Sequence, residues 1–405
     1  MRAGDLLSSG SAEPSTGRER IGLLLGGIML MAVTLRAPIT GVGPLLDTIR
    51  HDTGMSGAVA GVLTTLPVLA FAAASPVAPA LARWIGIERS LFLALLGLLA
   101  GVLLRWIPDL PALFVGTVLL GAGIALANVL LPSLVKRDFP YRVGAITSLY
   151  AATMNVGAAT SSGIAVPVAG IAPGGWRTAV GCWGLLVVIA LLVWSPQLRR
   201  HTVATEPRAP MPWRSPLAWS VTLFMGLQSF AFYVVVSWLP TILHSHGTST
   251  TAAGWELFAF QVIALASVLG MPALIRRLPD QRWLAAGWSL VSVVSFAGLL
   301  VAPGIAIVWV LLGGLASGAA LVLALSFFGL RAVGAGQAAA LSGMAQSVGY
   351  LIAACGPVLC GSLHDATGGW RLPLLILVLL GVGQLLLGYR AGRAGTLEPA
   401  DSGSS

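Results

Sequence analysis

The sequence predicts an all-α integral membrane protein, with about twelve transmembrane helices arranged as two pseudo-symmetric six-helix bundles. Three observations predict it. The chain is 57% hydrophobic and only 9% charged over 405 residues, where soluble chains carry about 25% charged residues. Apolar segments of about 20 residues, the length that crosses a bilayer, recur along its whole length. The second six of these segments repeat the first six in the same orientation.

The segments fall near 21–46, 57–82, 90–107, 111–132, 143–170, 176–194, 216–242, 252–275, 283–302, 305–328, 336–361 and 370–389. Residues 1–20 are rich in Gly, Ser, Arg and Glu and lack the apolar core of a signal peptide. They are expected to form a cytoplasmic tail, with the first helix as an uncleaved insertion signal. The longest polar connection, 195–215, is rich in Pro and Arg. It is expected to be a cytoplasmic linker between a first bundle, 21–194, and a second, 216–390. Residues 391–405 are Gly/Ser-rich and acidic, and are expected to be a disordered cytoplasmic tail.

Orientation follows from the cations. With the N-terminus inside, 18 of the 23 Lys and Arg fall in cytoplasmic segments and four outside (Arg50, Arg105, Arg177 and Arg371). Arg36 alone is set within a helix. This asymmetry places both termini in the cytoplasm and the chain in the cell membrane as a multi-pass protein. It also accounts for the net charge of +9 without a nucleic-acid partner. No cofactor or metal is expected. Cys182, Cys355 and Cys360 lie in apolar segments without metal-ligand spacing. His51, His201, His244, His246 and His364 are placed in loops or tails. No Walker-type Gly-Lys-Ser/Thr appears, and no Ser/His/Asp set can be nominated, so an enzyme is not expected.

The repeat is read directly. Residues 60–84 match 253–277 at an offset of 193 without a gap; both begin Ala-Gly and end Pro-Ala-Leu-x-Arg or its near equivalent. Leu119-Leu120-Gly121 returns as Leu311-Leu312-Gly313, and Gly174-Gly175-Trp176-Arg177 as Gly368-Gly369-Trp370-Arg371. Single matches in apolar sequence are cheap. A nearly constant offset across several helices is not. Parallel six-helix repeats around a midplane site are a transporter architecture.

The stretch LMAVTLRAPITGVGPLL, 30–46, holds Arg36 inside an apolar run, followed by Pro38, Gly41, Gly43 and Pro44. An arginine at mid-helix costs about 2.5–3.5 kcal/mol on insertion scales. Bent backbone at membrane depth is tolerated where it lines a protein cavity. Two readings stay open here. Arg36 faces a water-filled cavity and binds a substrate, or it is structural, held by a carbonyl or snorkelling outward.

Two sets of residues carry a family resemblance. After the second segment the chain reads Pro79-Ala-Leu-Ala-Arg83-Trp84-Ile-Gly86-Ile-Glu88-Arg89. This resembles the loop signature of the major facilitator superfamily, Gly-x-x-x-Asp-Arg-x-Gly-x-Arg-Arg. Gly86 and Arg89 match, but Pro79 and Arg83 replace the Gly and the Asp. The blocks 35–46, 63–83 and 330–370 resemble its cyanate and nitroimidazole transporter branch. The most specific run is Leu330-Arg331-Ala332, Leu341-Ser342-Gly343-Met344-x-Gln346-x-x-Gly349-Tyr350 and Gly356-Pro357.

That resemblance implies the major facilitator fold and a secondary active transporter for a small anion or small polar organic solute, working by alternating access. A multidrug or metabolite efflux carrier of the same fold is the alternative; a channel or receptor is less favoured. The implied partners are a small-molecule substrate, the lipid bilayer and a coupled proton, in a monomer. The implied cavity is lined from helices 1, 4, 7 and 10, with 2, 5, 8 and 11 in support. Polar candidates at membrane depth are then Arg36, Asn128, Tyr150, Asn155, Gln228, Tyr233, Gln261, Gln346 and Tyr350. For each amide, an interhelical hydrogen bond is the competing explanation. Glu256 is a candidate proton carrier, and the only plausible intramembrane partner for an Arg36 otherwise expected to be unpaired. The other reading makes Glu256 a wet carboxylate near a helix N-terminus. Arg83, Gly86, Arg89 and Arg276 are candidate gating residues of the loops.

Overall fold

The computed structural model describes residues 14–139, 142–199, 211–333 and 335–397. Among these, the regular structure is helical: α1 (Pro14–Thr34), α2 (Ala37–Thr40), α3 (Leu46–Thr53), α4 (Gly57–Ala74), α5 (Ala78–Ile85), α6 (Ile87–Leu104), α7 (Leu110–Asp138), α8 (Val143–Ile171), α9 (Trp176–Gly181), α10 (Trp183–Trp194), α11 (Pro216–Ser245), α12 (Thr250–Arg277), α13 (Arg282–Val301), α14 (Ala306–Leu330), α15 (Ala335–Thr367) and α16 (Arg371–Ala391). They make 12 helical stretches long and apolar enough to cross a membrane.

Local sequence sets the starts. Ser56, Asp109, Ser215 and Ser249 stand at N-caps, and each side chain accepts a hydrogen bond from the amide three residues on, which satisfies a donor the helix cannot. Gly54 closes α3 in the left-handed conformation at φ +70°, where a side chain is strained. Three predicted helices are interrupted. The first breaks at Leu35–Arg36, before Pro38, and continues as α2, a 3-10 turn at Gly43–Leu45 and α3. The second ends at Ala74 and resumes as α5 beyond Pro76, and the sixth is divided at Cys182.

The halves meet along two helix pairs, α4 on α15 and α8 on α12. Their hydrophobic cores divide unevenly. One core draws buried side chains from both halves, Leu46, Leu63 and Trp176 with Trp238, Leu257 and Trp370. All of these lie at the end of the bundle away from the termini, the far end. At the end that carries the termini, the buried cores stay separate. Ile28, Leu91, Leu134 and Trp194 belong to the first half, and Phe224, Leu323, Phe327 and Leu341 to the second. Among the described residues, the molecule is therefore closed at the far end and parted at the terminal end.

Polar contacts follow the same division. At the far end, Asp365 of α15 accepts a hydrogen bond from the Ala58 amide of α4 at 2.9 Å. Arg50 of α3 approaches the other Asp365 oxygen at 3.7 Å. Deeper in, Thr65 donates to the Ala354 carbonyl at 2.9 Å. At the terminal end, the following contacts tie each half to itself. Glu88, 1% exposed, pairs with Arg137 at 2.8 Å. Arg331, expected in a solvated loop, is buried. It donates to Gln281 and to the Ala391 and Gly392 carbonyls. The Arg331 carbonyl in turn accepts from the Leu397 amide. Within the tail expected to be disordered, Ala391, Gly392 and Leu397 are thus buried against the bundle, while 393–396 are exposed. His364, expected in a loop, lies in the last turn of α15 with its ring stacked on Trp370 at 4.2 Å.

Candidate functional site

Arg36 stands at the break in the first pass. Pro38 has no amide proton, and its ring clashes with the carbonyl four residues back. The helix therefore stops at Thr34, and Arg36 becomes the N-cap of α2. A break at membrane depth frees carbonyls that lipid cannot satisfy. Here neighbouring side chains satisfy them. Ser161 of α8 donates to the Ala37 carbonyl at 2.6 Å. Ser162 donates to the Thr40 carbonyl at 3.4 Å. Arg105 donates to the Pro38 carbonyl at 2.9 Å. Thr40 returns a hydrogen bond to the Ala158 carbonyl at 3.0 Å. Gly43 lets the segment lie against α11: a Cβ there would fall on the Val236 carbonyl.

The Arg36 guanidinium donates through Nη1 to the Asn155 side-chain oxygen at 3.2 Å. Asn155 is held for this by its own amide, which donates to the Ala151 carbonyl at 2.8 Å. On its other side Arg36 lies over the Phe232 ring, 5.2 Å from the centroid. Tyr233 and Tyr350 lie within electrostatic reach of it. Phe71 of α4 packs on both tyrosines, at 6.4 and 5.7 Å between ring centroids. Arg36 is half-buried and forms no ion pair among the described residues. Glu256 does not pair with it: Glu256 lies further toward the far end, close to Gly254, which packs on Pro44 and the Ser162 carbonyl. The buried Oε2 of Glu256 has no hydrogen-bond partner.

The other candidates divide. Asn155, Tyr233 and Tyr350 gather around Arg36. Tyr150 packs on the core of the first half, and Asn128 of α7 is half-buried. Gln346 donates to Ser342 of its own helix at 2.8 Å. Gln228 donates to Ser229 at 2.9 Å and lines a cavity of about 270 Å³ inside the second half, with Phe232, Ser317 and Gln384. Gln261 is buried and donates to Ser162 across the α8–α12 contact at 3.4 Å. The candidate loop residues lie on helices instead: Arg83 in the last turn of α5, Arg89 in the first turn of α6 and Arg276 in the last turn of α12 are all exposed, and Gly86, between α5 and α6, is buried at φ +90°. Glu88 and Arg137 carry the ion pair of that region. Neither this pair nor Phe232, the ring beneath Arg36, is marked by any pattern in the chain.

The model of the Major Facilitator Superfamily matches residues 24–354, and the chain belongs to that family. It is 48% identical over 383 residues to the 2-nitroimidazole transporter of Escherichia coli (strain K12), covering 93% of this chain and 97% of the relative. It is 28% identical over 368 residues to the cyanate transport protein CynX of the same organism, covering 90% and 95%. Among solved structures, an inward-facing, unoccupied bacterial homolog of the human lysosomal transporter Spinster aligns with a TM-score of 0.78 at 15% identity, covering 94% of this chain and 98% of that one. A D-xylose-proton symporter aligns with a TM-score of 0.72 at 15% identity, covering 92% and 99%. The protein is a multi-pass membrane transporter of small molecules and not an enzyme.

Proposed function

We propose that the protein is a secondary active transporter that moves a small anion, or a small polar organic solute with an electron-rich group, across the cytoplasmic membrane. Cyanate and nitroimidazole-like compounds are the classes in view, since relatives carry those names. The observation that carries the reading is the Arg36 guanidinium. It stands at a helix break, between a neutral amide and aromatic rings, with no carboxylate to neutralise it among the described residues. Its planar fork of donors suits a carboxylate, cyanate or nitro group. The bundles 21–194 and 216–390 rock about this site, with both termini cytoplasmic, so the parted end of the described state faces the cytoplasm. Glu256 is the proposed carrier of a coupled proton, on the support of its unpartnered buried oxygen.

The test is ligand-induced thermal shift of the purified protein with a panel of small anions and heteroaromatics, followed by flux in liposomes. Arg36→Lys keeps the charge and loses the fork. It is expected to fold normally and to lose about tenfold or more in affinity, as for a lost charge-assisted hydrogen bond. Arg36→Ala is expected to fold and not bind. Wild-type binding in both variants overturns the reading. Misfolding of both makes Arg36 a structural residue.

A further inference from the structure

Arg105 follows the last residue of α6 at the far end, where a cation is expected to face water. The structure buries it instead, at 3% exposure. One guanidinium nitrogen donates to the Pro38 carbonyl. Its Nε, also buried, meets no acceptor. No carboxylate pairs with it among the described residues. An arginine cannot shed its proton to escape such a site, and an uncompensated buried charge is costly.

The side chain lines a narrow cleft between the two halves. Thr64, Thr117, Tyr233 and Ser237 line it too. Thr64 and Thr117 spend their hydroxyl protons on carbonyls of their own helices. Tyr233 and Ser237 donate to no acceptor among the described residues. The cleft thus joins one uncompensated cation to two free hydroxyl donors and no competing anion. Its unfilled space is narrow and suits an ion of water-like size. The second repeat indicates that the scaffold needs no cation here. At offsets of 192 and 193, the positions matching Arg105 are Ala297 and Gly298.

We propose that this cleft is a site for a resident monovalent inorganic anion of halide size, bound by Arg105 with Ser237. It is distinct from the Arg36 site and lies toward the far end from it. The ion neutralises Arg105 and holds the broken segment of the first pass against α6, α7 and α11.

The experiment is the melting temperature of the purified full-length protein, titrated with sodium bromide against sodium gluconate at constant ionic strength. Wild type is expected to show saturable stabilisation by bromide. Arg105→Gln is expected to raise the apparent dissociation constant about tenfold or more, while Arg36→Lys leaves it unchanged. Ser237→Ala, a mild change offered in case Arg105→Gln does not fold, is expected to weaken bromide binding several-fold. No saturable stabilisation in wild type overturns the proposal. So does unchanged bromide affinity in Arg105→Gln, or in Ser237→Ala if that alone folds. Loss of the effect in Arg36→Lys with retention in Arg105→Gln also overturns it, and assigns the anion to Arg36.

Discussion

Asn155 is the residue that keeps Arg36 available. An amide oxygen at 3.2 Å orients the guanidinium without cancelling its charge. A carboxylate in the same place would cancel it. Asn155→Asp is therefore expected to leave the melting temperature at or above that of wild type and to abolish binding of an anionic substrate in the thermal-shift assay. Undiminished binding would show that the substrate does not meet Arg36 head-on. Glu256→Gln tests the coupling role separately: substrate binding should persist while the pH dependence of liposome flux flattens. At this scale the sequence was legible where chemistry forces the answer. A lone arginine inside an apolar run, two residues before Pro38, marked the stretch as the one to examine, with a cavity-facing and a structural reading both open. Its partner was not legible. Asn155 was one of several amides at membrane depth, and only the register of α8 against the break selects it over Gln261 or Gln346. Arg105 and Arg331 were misplaced for a related reason. Both sit at helix ends, where a cation reads as solvated, and only the tertiary fold brings backbone carbonyls to meet them.

The elements divide by how much of their geometry is local. Helix starts at Ser56, Asp109, Ser215 and Ser249 follow from capping chemistry, and the spans follow from apolar length, so both could be read from the chain. The interruptions of the first, second and sixth passes were not resolved, because an apolar run looks the same straight or broken. Prolines marked two of these places without fixing where the helix resumes. The broken first pass depends on close approach, and this gives a prediction. Gly43 faces the Val236 carbonyl of α11 with no room for a Cβ. Backbone cannot swing aside as a side chain can, so Gly43→Ala is expected to cost about 1–3 kcal/mol by overpacking and to lower the melting temperature. Gly22→Ala, at a site with open space around it, should leave the temperature unchanged. Equal behaviour of the two variants would mean that the segment is not pressed against α11.

At the scale of the whole molecule, the repeat at constant offset made the two-bundle plan legible, while the conformation was not. On the proposed alternating-access reading, the same sequence serves a state closed at either end, so no residue pattern singles out the far-end closure seen here. What holds that closure is specific. Asp365 reaches from the second half to the Ala58 amide at the start of α4 and faces Arg50. The approach requires Gly57, where a Cβ would sit 2.5 Å from the Asp365 carboxylate, and Gly61, where it would sit 2.6 Å from the Pro357 carbonyl. A hydrogen bond to a charged group is worth about 1.5–3 kcal/mol, and a two-state equilibrium shifts about tenfold for 1.4 kcal/mol. Asp365→Asn should therefore move the population toward opening at the far end by about tenfold, and Gly61→Val, which meets backbone rather than a flexible side chain, by more. The readout is a single cysteine at Ser237, placed in a background without Cys182, Cys355 and Cys360, and labelled by a membrane-impermeant thiol reagent added outside whole cells. Ser237 is 3% exposed in the closed form, so its labelling rate reports opening at the far end. Both variants should accelerate it, Gly61→Val the more. Acceleration by neither would show that the clasp does not set the balance between states. Acceleration only by reagent applied from the cytoplasmic side would invert the membrane orientation read from the charges.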